Sequence, residues 1–319
     1  MSTASRVVFV APFGLGQKTT VWARTLPLAR ELAALGHRTH ILIPPWDTPE
    51  DAGRTWDDAG VRLENVTLRG GIPATVGRML GRIADLKPDI VHIVKPRAHA
   101  GLVQWRLWQK RRRPLLMLDI DDWEQAWAPI NGYNPALARF LAWQEEWGIR
   151  HADGITAASR WLEARAQHYA SATPVRYLPN GVDLPERPPV FQPSLRPATV
   201  LFFSRYVEVE PAWLAAFWEA LHQQLPESRL LVAGQPLQEG RDVLYAATMA
   251  EAAPYGAAAV EWRGAVSPQA VPALYDAARV AIFPAAPVPL QEAKCSVRLA
   301  TTLLHGVPVV ASAIGEQAN

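Results

Sequence analysis

The sequence predicts an α/β chain of two doubly wound domains, and three observations carry that prediction. Short apolar runs alternate with amphipathic helical stretches through residues 1–185. The segment 186–197 then breaks the rhythm with Pro188, Pro189, Pro193 and Pro197. Proline lacks a backbone donor and fixes φ, so this segment reads as a semi-rigid linker. The alternation resumes through 198–319, which makes a second domain of the same class.

The elements follow in order. Val7, Val8, Phe9 and Val10 form an unbroken apolar run, the mark of a strand buried on both faces. A helix is expected from about Thr20, with Leu28, Leu32 and Leu35 on its apolar face and Gly36 as its stop. Further strands are expected at 39–43, 61–68, 90–94, 115–118 and 154–157. In the second domain they are expected at 199–203, 229–233, 258–261, 280–283 and 307–311. Between the first two of these, Leu214, Phe217, Trp218 and Leu221 recur at helical spacing. The chain stops eight residues after Ala311, short of the closing helix such a unit carries, so the second domain reads as truncated.

Composition narrows the function. Lys and Arg number 32 against 30 Asp and Glu, a formal net charge of +2. That balance argues against general nucleic-acid binding, which needs a basic excess. A single cysteine, Cys295, excludes an internal disulfide or a cysteine-clustered zinc site. No two histidines stand four apart, so a histidine pair on one helix face is absent. With no leader and no long apolar run, the expectation is a cytoplasmic protein.

Ligands of doubly wound sheets bind at loops after the strands, so the expected site lies in a cleft faced by both domains. Gly14 and Gly16 follow the first strand, where backbone amides and a helix N-terminus favour an anion. The pattern is equally that of a tight turn, and Thr19 spoils a dinucleotide fingerprint. Asp119, Asp121 and Asp122 precede Trp123 and Glu124. They read as a divalent-metal site or as a capping and turn cluster. Trp105 and Trp108 precede Lys110–Arg113, a face suited either to an anionic membrane surface or to the helix dipole. Tyr133, Trp143 and Trp147 read as core or sugar-stacking residues.

A more specific pattern is Ala152-Asp153-Gly154-Ile155 through Ser159, followed by Pro179-Asn180-Gly181-Val182-Asp183. This resembles the GT-B glycosyltransferases of family four. Asp89-Ile90-Val91-His92, Leu230 to Gly234, Val280 to Pro284 and Gly306 to Ser312 match further segments of that family, in order. So does the stretch from Thr25 to Gly36-His37.

The resemblance implies two Rossmann-like domains and a retaining transfer of a sugar from a nucleotide-diphosphate donor. The nucleotide-sugar is then a co-substrate, with no cofactor and no bound metal. Fixed cations and amide dipoles must in that case meet the departing diphosphate. On this reading Arg205 and Lys294 are catalytic through the diphosphate, and Asp121 through the reacting sugar. Gly14, Gly16, Ser296, Val297, Arg298 and Thr301 complete the donor site, and Asp122 and Trp123 contact the acceptor. The acceptor is a glycan, a lipid or a small molecule. The expected partners are the nucleotide-sugar, a carbohydrate or lipid-linked acceptor and a peripheral membrane surface, with no nucleic acid.

Departures from the family pattern are also visible. The expected lysine five residues after Arg205 is Glu210. The family's two glutamates align with Ala293 and Thr301, although Glu292 stands next to the first. These departures favour an alternative, a catalytically degenerate relative that binds carbohydrate or protein. An epimerase on the same fold is a more distant one. Cys295 reads as a packed residue.

Overall fold

A computed structural model describes residues 4–16, 19–184 and 197–318. The chain divides into two compact units. The first is Met1–Gly181 with Ala293–Cys295, and the second is Val182–Glu292 with Ser296–Asn319. The expected linker at 186–197 lies, apart from Pro197, outside the described residues. The assignment of 293–295 to the first unit departs from a simple two-part division, because Ala293 is fully buried in that unit's core.

The first unit holds an eight-stranded sheet. Its strands are β1 (Arg6–Val10), β2 (Arg38–Ile43), β3 (Thr55–Asp58), β4 (Val61–Asn65), β5 (Ile90–Val94), β6 (Leu115–Ile120), β7 (Gly154–Ala157) and β8 (Val175–Tyr177). Their order is β3-β4-β2-β1-β5-β6-β7-β8, and all pairs are parallel except β3 with β4. Helices α1 (Leu26–Ala34), α2 (Gly71–Leu86), α3 (Ala98–Trp108), α4 (Pro135–Arg150) and α5 (Arg160–Tyr169) link them. Side chains alternate across a strand, so β1 feeds two cores. Val8 and Val10 enter one, with Val91, Ile93, Leu116 and Leu118. Val7 and Phe9 enter the other, with Ile41, Ile43 and Leu63.

The second unit repeats the plan with β9 (Thr199–Phe203), β10 (Arg229–Ala233), β11 (Val260–Gly264), β12 (Val280–Phe283) and β13 (Val309–Ala311). The order is β11-β10-β9-β12-β13, all parallel. Helices α6 (Pro211–Gln224), α7 (Arg241–Ala252), α8 (Val271–Ala277), α9 (Pro289–Glu292) and α10 (Val297–Leu304) complete it. Val200, Phe202, Leu230 and Val232 pack on one face of this sheet, while Leu201, Leu231 and Ala233 pack on the other. Both units are therefore Rossmann-like, as the alternation predicts.

The differences from the expected elements have local causes. A π-helical turn, Val21–Thr25, precedes α1. Its wider winding turns Arg24 inward and shifts the buried face to Leu26 and Ala29. Leu28 and Leu32 are consequently half-buried, and Leu35 is 75% exposed. Strand β4 ends at Asn65, whose side-chain amide donates to the Asp51 carbonyl. Strand β13 begins only at Val309, after Pro308, which has no N–H to offer.

The first unit also buries charge. The Arg24 guanidinium donates to both Asp119 oxygens, at 2.6 and 2.7 Å, with each side chain 2% exposed. Arg24 also donates to the Leu178 carbonyl, and Thr156 donates to Asp119. Burial alone would raise the Asp119 carboxyl, but the adjacent guanidinium outweighs it and holds the group below its usual range. Glu145 on α4 lies in the opposite situation. Its carboxyl accepts from the backbone N–H of Glu124 and Gln125, yet burial and the Glu124 charge push it up to about 8.

Two stability predictions follow from this packing. A folded-state value of about 8 for Glu145, against 4.5 for the free group, means the fold favours the protonated form. That contribution is complete below about pH 4.5 and is lost as pH rises through 8. Urea titrations across this window should show falling stability in the wild type and a flatter profile for Glu145→Gln. In the second unit, Gly234 has φ +125°, and a Cβ there would lie 1.9 Å from the Ser204 carbonyl oxygen. Gly234→Ala should therefore cost about 3 kcal/mol or more of unfolding free energy, measured by the same titration.

Candidate functional site

Each unit gathers charged groups at the carboxyl ends of its strands, where loops leave a parallel sheet. In the first unit, Lys95 and Arg97 follow β5, while Asp121, Asp122 and Glu124 follow β6. Lys95 adopts φ +58°, a left-handed conformation that a lysine takes only when its surroundings impose it. Its ammonium nitrogen lies 3.0 Å from Asp121 Oδ1 and 2.9 Å from both Asp122 Oδ2 and Glu124 Oε1. Arg97 pairs with the second oxygen of Glu124 and donates to the Tyr133 hydroxyl at 3.0 Å.

Electrostatics distinguish these carboxyls. Burial raises Glu124 in isolation, but Lys95 and Arg97 bring it down to about 2. Asp121 is pushed up to about 6 by burial and by Asp122, with Lys95 only partly offsetting them. Burial would lower Lys95, and its three carboxylate neighbours instead hold it well above the usual lysine range. The metal reading of Asp119 and Asp121 loses its basis, because Arg24 and Lys95 already supply the positive charge.

Among the expected acceptor residues, Asp122 is half-buried on Lys95. Trp123 departs from expectation. It is 4% exposed and packs against Trp161 and Tyr169, with the Arg165 guanidinium 5.0 Å from its ring centroid. That is a core position with no face for a sugar. Trp143 is 43% exposed and stacks near Phe140, whereas Trp147 stacks on His151 at 4.0 Å.

The glycine loop after β1 holds an unexpected anion. The Gly14 N–H donates to Asp47 Oδ1 at 2.5 Å. A Cβ at Gly14 would meet Thr48 Oγ1 at 2.5 Å and Asp47 Oδ1 at 2.8 Å, and one at Gly16 would meet Thr48 Cγ2 at 3.0 Å. Both glycines are needed for close approach of the 45–48 loop, and a carboxylate already stands at the Gly14 amide. Lys294 belongs with the first unit, its ammonium 5.2 Å from the Trp127 ring centroid. In the same unit the Asn180 side-chain amide donates to the Cys295 carbonyl at 2.9 Å.

In the second unit the structure brings the loop after β9 to the N-terminus of α10. Arg298 donates to the Phe203 carbonyl at 2.8 Å and to Glu208 Oε1 at 2.5 Å. Arg205, Ser296, Val297 and Arg298 therefore belong to one locality. Ser296 caps α10 by accepting from the Leu299 N–H at 3.2 Å. Val297 is its first residue, and Thr301 Oγ1 donates to the Val297 carbonyl at 2.8 Å. The loop itself is shaped by Tyr206 at φ +63°. Glu210 points outward, its side chain 80% exposed and 3.6 Å from Arg241.

Sequence reasoning missed Lys95, Arg97, Glu124, Glu145, Asp47 and Glu208. For the first two a signal existed, since cations directly after the apolar run 90–94 must sit at a strand end. Asp47 gave none, because its partner is a backbone amide. Glu208 gave none, because Arg298 lies ninety residues away in the sequence and two of its other donors are backbone amides.

Comparison with known proteins agrees with this architecture. Residues 19–181 match the family described as glycosyl transferase 4-like domain, and residues 197–319 match glycosyl transferases group 1. No curated protein matches the chain. Among solved structures, sucrose-phosphate synthase from Thermosynechococcus elongatus superposes with a TM-score of 0.72 at 18% identity, covering 98% of this chain and 82% of that one. The catalytic domain of starch synthase IV from Arabidopsis thaliana, bound to ADP and acarbose, gives 0.69 at 13% identity, with 99% and 84% covered. Anabaena HepE, in complex with UDP and glucose, gives 0.62 at 16% identity, with 98% and 82% covered. At these identities the structures attest the fold, and the family match carries the rest: this chain belongs to the GT-B glycosyltransferases.

Proposed function

We propose that the protein transfers a sugar, with retention of anomeric configuration, from a nucleoside-diphosphate donor to a carbohydrate or lipid-linked acceptor. The donor's diphosphate is assigned to the second unit, on Arg205, Arg298 and the amides at Ser296 and Val297. A guanidinium offers paired donors to phosphate oxygens, and a helix N-terminus adds partial positive charge. The observation that carries this reading is the junction of the β9 loop with α10 through Arg298, which sets two guanidinium-bearing segments side by side. The neighbours solved with UDP or ADP support the same donor class.

In the reaction, the bond between the anomeric carbon and the diphosphate oxygen breaks as the acceptor oxygen bonds to that carbon on the same face. The departing diphosphate takes the acceptor's proton. Negative charge grows on the leaving group, and Arg205 and Arg298 meet it in the proposed mechanism without a metal ion. Asp121 and Asp122, held by Lys95, bind hydroxyls of the reacting sugar or acceptor. Thr301 reaches the nucleoside as a neutral acceptor in place of a glutamate.

Calorimetry with uridine, adenosine and guanosine diphosphates tests the reading. At least one should bind, and Arg205→Ala should weaken that binding about tenfold to a hundredfold, the scale of a lost charge-assisted contact. Unchanged affinity would remove Arg205 from the donor site. Turnover that persists in excess chelator supports the metal-free step, and turnover restored only by added Mg²⁺ or Mn²⁺ counts against it.

A further inference from the structure

The loop after β9 forms a small anion cradle, and a residue of the loop itself fills it. Ser204, Arg205, Val207 and Arg298 all donate to the Glu208 carboxylate. Ser204 Oγ donates at 2.6 Å and the Val207 N–H at 3.0 Å, both to Oε2. The Arg205 N–H donates at 3.3 Å and the Arg298 guanidinium at 2.5 Å, both to Oε1. The Tyr206 N–H in turn donates to Ser204 Oγ at 2.8 Å, orienting that hydroxyl. The left-handed residue Tyr206 lets the neighbouring amides point to one side, the geometry by which successive N–H groups bind anions. The Glu208 side chain is only 11% exposed, so this carboxylate is held inside the loop and is not a solvated surface charge. Two amides, a hydroxyl and a guanidinium are also the donor set that a phosphate group would use.

We infer that Glu208 is an internal counter-anion which a donor's diphosphate must displace from Arg298 and the loop amides, so that this residue sets donor affinity. The inference rests on the proposed donor site and deepens it. Binding is then an exchange. The Arg298 guanidinium trades a carboxylate for a phosphate, and the net gain is the difference between two charge-assisted contacts. The exchange also selects for charge. A diphosphate brings more negative charge than the carboxylate it replaces, whereas the uncharged nucleoside offers nothing in return.

Glu208→Gln tests this directly. Glutamine keeps the length and one carbonyl acceptor but releases the guanidinium. Calorimetry on the whole chain should show uridine, adenosine or guanosine diphosphate binding about tenfold tighter to Glu208→Gln than to wild type, with the parent nucleoside unchanged. Glu208→Asp, whose shorter carboxylate draws back from Arg298, should fall between the two and serves as the test if the glutamine variant does not fold. Equal or weaker diphosphate binding by the variants, with wild-type binding intact, overturns the inference and leaves the donor site standing. Equal tightening of the nucleoside overturns it as well. Failure of all three diphosphates to bind wild type and variants overturns the donor site and the inference together.

Discussion

The buried pair of Arg24 and Asp119 is the constraint on which the first unit depends. Removing two charges from water is costly, and the cost is offset only where geometry is good and remaining donors and acceptors are met. Here the contact is bidentate, and Thr156, the Leu178 carbonyl and Asn180 Oδ1 complete it. The π-helical turn before α1, the end of β6, strand β7 and the segment after β8 are thereby fixed to one another. Loss of either partner alone would strand a charge at 2% exposure, a more damaging change than replacing both. The wide turn is thus explained by what it delivers, since an ordinary α-helical start would not carry Arg24 inward at the same phase.

The same requirement recurs along the strand ends of both units. Parallel strands release their chains at one edge, and the loops there present amides and side chains that must find partners. At β5 and β6 the answer is Lys95 among three carboxylates. At β1 it is Asp47 on the Gly14 amide, and at β9 it is Glu208 on donors from Ser204, Arg205, Val207 and Arg298. Both loops that the sequence offered to phosphate hold a carboxylate from within their own unit. A glycine-rich or arginine-bearing loop therefore identifies an anion cradle, while the identity of the anion depends on residues farther along the chain.

That distinction explains how much was legible. Strands 90–94, 154–157, 199–203, 229–233 and 280–283 were readable to the residue, because a strand buried on both faces is apolar at most positions. Strand β3 was not, since Thr55, Trp56, Asp57 and Asp58 form an exposed edge with no such run. Strand β8 is only three residues long. The locality of Arg205 with Ser296, Val297 and Arg298 was legible through family motifs, which encode which loops meet. Trp123 was misread because a tryptophan after an acidic cluster looks the same whether its ring faces solvent or the Trp161 and Tyr169 rings. Glu208 escaped notice because backbone N–H groups leave no mark in a sequence and its guanidinium partner, Arg298, is ninety residues away.

The comparison of Glu208 with Glu210 shows why position outweighs sign. Glu210 is the evident departure from the family, a carboxylate where a phosphate-binding lysine is usual. Yet its side chain is 80% exposed, with Arg241 at 3.6 Å, so water and that cation screen most of its field. Glu208, two residues earlier, has the same charge at 11% exposure and lies directly on the guanidinium of Arg298. In that less polar setting its interaction with a neighbouring charge is several times stronger. The residue that contradicts the motif is thus electrostatically the weaker of the two, and the one that no motif records has the greater hold over any anion entering the loop.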